Sequence, residues 1–161
     1  MNKPDSQHKL WQKSSTSRKE VEAFTVGNDR ELDMYLAPFD VLGSIAHIKM
    51  LASINLLSQE ELAVLETELK NIYGEIMSEV EGEDSVFKMD EGVEDIHSQI
   101  ELLLTHRLGD IGKKIHSARS RNDQVLVDLK LFMRSEIEKT VRSVKSLFEL
   151  LIQRSVLHPW Y

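Results

Sequence analysis

The 161 residues carry 27 acidic and 20 basic side chains, a net charge of −7, and no cysteine. Such acidity argues against nucleic-acid binding, which wants a basic face. The lack of thiols excludes disulfides and thiolate metal sites. The polar stretch Met1 to Ser17 has no apolar core of a secretory signal. No uncharged apolar run approaches the roughly 20 residues of a membrane span. A cytoplasmic protein without membrane or nucleic-acid partners is expected.

The periodicity predicts an all-α chain. Residues 1–17 read as an irregular segment, with Leu10 and Trp11 as its apolar exceptions. A short helix is expected over Arg18–Phe24, broken at Thr25–Asn28 by the tolerant turn residues Gly27 and Asn28. Helix resumes over Asp29–Leu36. Pro38 sets a kink or a fresh start, since proline suits a first helical turn and disfavours helix before it. Phe39, Leu42, Ile45, Ala46 and Leu51 are expected to carry the apolar face to about Ile54. His47 lies within this run and reads as a packed or surface residue rather than a ligand.

Ser58-Gln-Glu-Glu61 is a capping box. The helix it opens is predicted to reach Val80, with Leu62, Leu65, Leu69, Ile72, Ile76 and Val80 at three- and four-residue spacing. Glu81 to Glu91 forms an acidic loop. Glu94 and Asp95 then open a helix whose positive end suits acids. Its buried face is Ile96, Ile100, Leu103, Leu104 and Leu108, and Gly109 is its stop. Asp95 and His97 diverge by about 200° on a regular helix. Only a non-helical lead-in lets both face one site; otherwise they are a capping acid and a surface histidine.

His116-Ser-Ala-Arg-Ser-Arg-Asn-Asp-Gln124 sits between two periodic segments and holds one apolar residue, Ala118. In an extended backbone Arg119 and Arg121 point to one side, and Ser120 and Asn122 to the other. Asn122 or Asp123 can cap the next helix, whose free N–H groups favour anions. Residue types alone leave a solvated, well-capped helix start beside a site for a small poly-carboxylate. From Val125 to about Leu157 runs the longest stripe, Leu126, Leu129, Met133, Ile137, Val141, Val144, Leu147 and Leu151, widened by Val127, Leu131, Phe132 and Phe148. Such a helix is too long for the preceding residues to cover, so it belongs in a bundle.

The loop His116–Gln124 resembles the H-[ST]-[AG]-R-S-R-N-D-Q signature of argininosuccinate lyases, in the fumarase/aspartase superfamily. Lys9-Leu-Trp11, Phe24-Thr-Val-Gly27 and Asp40-Val-Leu-Gly-Ser-Ile-Ala-His47 resemble that family's N-terminal segment. Glu94-Asp-Ile-His97, with Glu101, resembles its E-D-I-H-x-x-x-E segment. The resemblance runs to about Ser155. It implies an organisation of 1–17 irregular, 18–115 an N-terminal helical domain, 116–124 the substrate loop, and 125–161 the truncated start of a central bundle built from four subunits.

The resemblance also implies cleavage of argininosuccinate to arginine and fumarate, a step of arginine biosynthesis, without metal or organic cofactor. It makes Ser120, Arg121 and Asn122 the first candidates for substrate contact, with Arg119, Asp95, His97 and His116 beside them. Arg119 is equally suited to holding the loop in shape through buried ion pairs. The family's N-terminal substrate serine has no clear equivalent in Val26-Gly-Asn-Asp-Arg30, where Asn28 or Asp29 stands. The T-x-x-H-x-Q and S-x-x-M-P-x-K segments that supply proton transfer in the family do not occur in the 161 residues. Val156-Leu-His-Pro-Trp-Tyr161 is similar to the run preceding the first of them. A truncated chain without catalytic residues of its own, inactive alone, is therefore expected. Two other readings stand beside it: a non-catalytic helical module that self-associates through the 125–157 stripe, and a sibling reaction such as adenylosuccinate cleavage, against which the loop signature speaks.

Overall fold

A computed structural model describes residues 29–80, 87–90 and 92–157. The expected segment 1–17, the helix 18–24 and the break before Asp29 lie outside the described residues, as does most of the acidic loop. Six α-helices and one 3-10 turn make up the described residues, with no strand among them. In order they are α1 (Asp29–Asp33), α2 (Ala37–Ser53), α3 (Gln59–Val80), α4 (Ile96–Leu108), α5 (Asp110–Lys113), the 3-10 turn Lys114–His116, and α6 (Arg121–Leu157).

The helix anticipated over Asp29–Leu36 stops at Asp33, and a turn carries the chain into α2. Pro38 lies in the first turn of α2, where its missing N–H has no helical partner to lose. The expected apolar face of α2 needs correction. Leu42 and Ala46 are exposed, Phe39 and Ile45 half-buried. The buried register is Ala37, Val41, Ser44, Ile48 and Leu51, with Asp40 beside it. Periodicity weighted the bulky residues, but the inward side of this helix carries two polar groups that serve a site.

The capping box at Ser58 forms in both directions. Glu61 N–H donates to Ser58 Oγ at 3.2 Å, and Ser58 N–H to Glu61 Oε2 at 3.1 Å. Leu65, Leu69, Ile72 and Ile76 of α3 are buried against α2 and α4. Phe87 is also in this core, so the acidic connection is anchored at that residue. Ile96, Ile100 and Leu104 complete the core from α4, with Ile115 below. Gly109 ends α4 at φ 64°. Gly112 lets α5 fold back on α4: a Cβ there would lie 2.4 Å from the Leu104 carbonyl.

α6 crosses α2 near its own start. Gly43 leaves room for Val127 and Asp128, which a Cβ would meet at 3.3 and 3.4 Å. Phe39 and Phe132 pack edge to face, with centroids 6.0 Å apart. Beyond this contact the helix runs on alone. Its 37 residues make it about 55 Å long. Leu126, Leu129, Met133, Ile137, Val141, Val144, Leu147 and Leu151 are all exposed, Leu147 at 56%. The long apolar stripe is thus present and uncovered by the described residues.

Candidate functional site

The signature loop folds differently from an extended strand of alternating side chains. α6 starts at Arg121, not near Val125. Its capping residue is Ser120, rather than Asn122 or Asp123. Asp123 reciprocates: its Oδ2 accepts from the Ser120 N–H and Oγ–H, each at 2.8 Å. Asn122 lies exposed in the first helical turn. Ala118, at φ 59°, turns the chain just before. That left-handed conformation is strained for a residue with a Cβ.

Arg119 and Arg121 consequently part company. Arg119 turns inward, and its Nη2 donates to Ser44 Oγ on α2 at 3.0 Å. Burial lowers its pKa, against the pull of Asp40, Asp128 and Glu101. Arg121 stays half-exposed and pairs with Asp95. Asp95 is the extended N-cap of α4, φ −150°, and accepts from the Ser98 N–H at 2.8 Å. The non-helical lead-in needed to bring Asp95 and His97 to one region is therefore present.

His97 is buried, with 8% of its side chain exposed. Its Nδ1 lies 2.7 Å from Asp40 Oδ1 of α2 and 3.6 Å from Asp128 Oδ2 of α6. Burial lowers the His97 pKa, but the hydrogen bond to Asp40 and the charges of Asp40, Asp128 and Asp33 outweigh it, and the net shift is upward. Burial, followed by the neighbouring Asp40 charge, pushes the Asp128 carboxyl up to about 8. Both effects favour the protonated form of Asp128. The donor atoms of Asp40, His97 and Asp128 lie within 4.8 Å of one another, close enough for a cation. Arg119 already supplies positive charge beside these acids, and the His97 Nδ1 is engaged by Asp40, so we assign no metal to the cluster.

Above this layer opens a cleft of ≈ 610 Å³, lined by His97, Glu101, Lys113, His116, Arg121 and Gln124, with Ser98 and Ser117. The volume suits a small metabolite. Four of these side chains are basic and one is acidic, so the lining suits negative charge. His47 reaches the loop from α2, with Nε2 2.8 Å from the Ser117 carbonyl. Burial leads the lowering of its pKa, which the Arg119 and His116 charges reinforce.

Of the residues singled out from the sequence, His97, His116 and Arg121 line the cleft, and Asp95 joins it through Arg121. Ser120 caps α6, Arg119 holds the loop to α2, and Asn122 lies on the outer turn. Asp40, Ser44, Gln124 and Asp128 were not anticipated. Their signal was a polar residue in a buried helical register, with Gln124 and Asp128 four apart on the inward side of α6.

An all-helical scaffold with a cleft lined mostly by basic side chains is the class of protein defined by this geometry. The sequence matches the lyase family over residues 3–159, and the chain belongs to that family. It is 60% identical to the argininosuccinate lyase of Bacteroides fragilis over 158 residues, covering 95% of this chain and 34% of the relative. Identity to the argininosuccinate lyase of Bacteroides thetaiotaomicron is 57% with the same coverage. To that of Thermotoga neapolitana it is 44% over 131 residues, 81% of this chain and 31% of the relative. The chain spans about a third of the length of these curated relatives.

Proposed function

We propose that this chain forms the carboxylate-recognising part of an argininosuccinate lyase, which splits argininosuccinate into arginine and fumarate in arginine biosynthesis. The observation that carries the reading is the cleft itself: His97, His116, Lys113 and Arg121 converge on one opening at the signature loop. In this elimination a proton leaves the carbon next to a carboxylate, and that carboxylate takes on further negative charge. Fixed cations aimed at it lower the barrier without reorganising. Arg121 suits a planar carboxylate because its guanidinium is a permanent, forked donor. Asp95 orients that guanidinium. His97 and His116 add N–H donors, Ser120 sets the start of α6 by capping it, and Arg119 braces the loop from beneath.

Proton transfer is assigned to groups outside these 161 residues, which contain neither T-x-x-H-x-Q nor S-x-x-M-P-x-K. Residues 18–115 then act as the N-terminal helical domain and 125–161 as the opening of a bundle. The exposed stripe of α6 supports assembly with further helices, a homotetramer in the complete cytoplasmic enzyme. Calorimetric titration of argininosuccinate into the chain tests the reading. Binding should weaken about tenfold or more in Arg121→Ala, the equivalent of about 1.4 kcal/mol. Equal affinity of the two proteins would overturn it.

A further inference from the structure

We infer that Asp40 and Asp128 are positioning residues for His97: they grip its Nδ1 edge from two helices and leave Nε2–H to serve as a cationic donor to a substrate carboxylate in the cleft. The inference rests on the reading of the cleft as a carboxylate site. It adds two buried acids that touch no cleft surface themselves.

The geometry is specific. His97 lies in the first turn of α4, Asp40 in the first turns of α2, and Asp128 two turns into α6. Asp40 Oδ1 accepts a hydrogen bond from the Nδ1–H at 2.7 Å, a short charge-assisted bond. Asp128 Oδ2 stands 3.6 Å from the same nitrogen. Both acids are 1% exposed, and the two carboxyl groups lie within hydrogen-bonding reach of each other. With Nδ1 engaged, Nε2 is the ring nitrogen left to serve a ligand, and His97 is among the cleft's lining residues.

The charges around the ring explain its task. Asp33 from α1, Asp40 from α2 and Asp128 from α6 act on it. Arg119 from the loop acts on Asp40, Asp128 and Glu101. Favouring the protonated form of Asp128 relieves repulsion between the two acids, and Asp40 Oδ1 is the oxygen that meets the ring N–H. A neutral imidazole with Nδ1–H toward Asp40 would present a lone pair at Nε2, which repels a carboxylate. The buried anion therefore selects the form of the ring that donates at both nitrogens.

Nitrogen NMR of histidine-labelled chain tests this directly. The protein has six histidines, and His97→Gln assigns the resonance. Both His97 nitrogens should be protonated at neutral pH, and Asp40→Asn should lower the midpoint of that titration by about one pH unit or more. The isosteric Asp128→Asn, which keeps the volume, should lower it less. Succinate affinity should fall as pH rises through the His97 midpoint, and Asp40→Asn should move that fall to lower pH. A His97 resonance that titrates normally and ignores Asp40→Asn in a folded chain would overturn the inference, as would a succinate pH profile that Asp40→Asn leaves in place. Failure of succinate to bind either protein, with the His97 signature intact, would instead overturn the carboxylate reading of the cleft and leave the anchoring standing.

Discussion

Arg119 Nη2 and Ser44 Oγ meet at 3.0 Å and fasten the signature loop to the inward side of α2. The hydroxyl is fully buried, so the bond has little competition from water. A hydrogen bond to a charged group contributes about 1.5–3 kcal/mol. Ser44→Ala should lower stability by about that amount, read as a shift of the urea midpoint at unchanged slope. Arg119→Ala should be worse, about 3–5 kcal/mol, because it strips the buried acid layer around Asp40 of its counter-charge. Equal losses from the two substitutions would mean that the guanidinium does not compensate those acids.

Alkaline pH should weaken the fold. Asp128 is held at about 8 in the folded chain, above the ordinary carboxylate value. A raised folded pKa gives stability that is fully present below the unfolded value and is lost as pH rises through the folded one. The raised His97 works in the same direction, from above its ordinary 6.5. Thermal melts should therefore fall from about pH 4 through about pH 8. Asp128→Asn should flatten that slope; a slope left unchanged would contradict a buried, protonated Asp128.

Gly112→Ala should destabilise strongly. The new methyl group would sit 2.4 Å from the Leu104 carbonyl, and backbone cannot yield as a flexible side chain does. A loss of about 1–3 kcal/mol or more is expected from thermal unfolding. Gly74→Ala is the control, since nothing lies within 4 Å of its Cβ position; it should stabilise by up to about 1 kcal/mol in mid-helix.

The stripe of α6 should drive association. Ile137 and Leu147 are 59% and 56% exposed in the single chain. Contiguous apolar surface of this kind marks a contact with other protein. Ile137→Asp with Leu147→Asp should shift sedimentation toward monomer without lowering the stability of the α2–α4 core. Unchanged association would assign the self-contact to another surface.

Much of the fold was legible because its signals are local. Ser58 with Glu61, Pro38, Gly109 and the long stripe of α6 each act within a few residues, and each falls where expected. The Asp95 lead-in was legible as a condition, and the extended φ of Asp95 meets it. The buried layer of the site was not. Asp40, Ser44 and Asp128 occupy inward positions on three-dimensional grounds, through the close approach of α2 and α6 at Gly43. A count of apolar residues reads such positions as solvated. The inward course of Arg119 depends on the left-handed turn at Ala118, which no alternation rule anticipates.

The central claim is that this chain supplies the substrate-recognising portion of an argininosuccinate lyase. Exchanging it for the corresponding segment of the relative 60% identical to it tests that claim most directly, with fumarate release from argininosuccinate as the readout. The chimera should turn over argininosuccinate, and His116→Ala and Arg121→Ala within it should each lower kcat/KM by about tenfold or more. A chimera that assembles like the relative but releases no fumarate, or one indifferent to both substitutions, would contradict it.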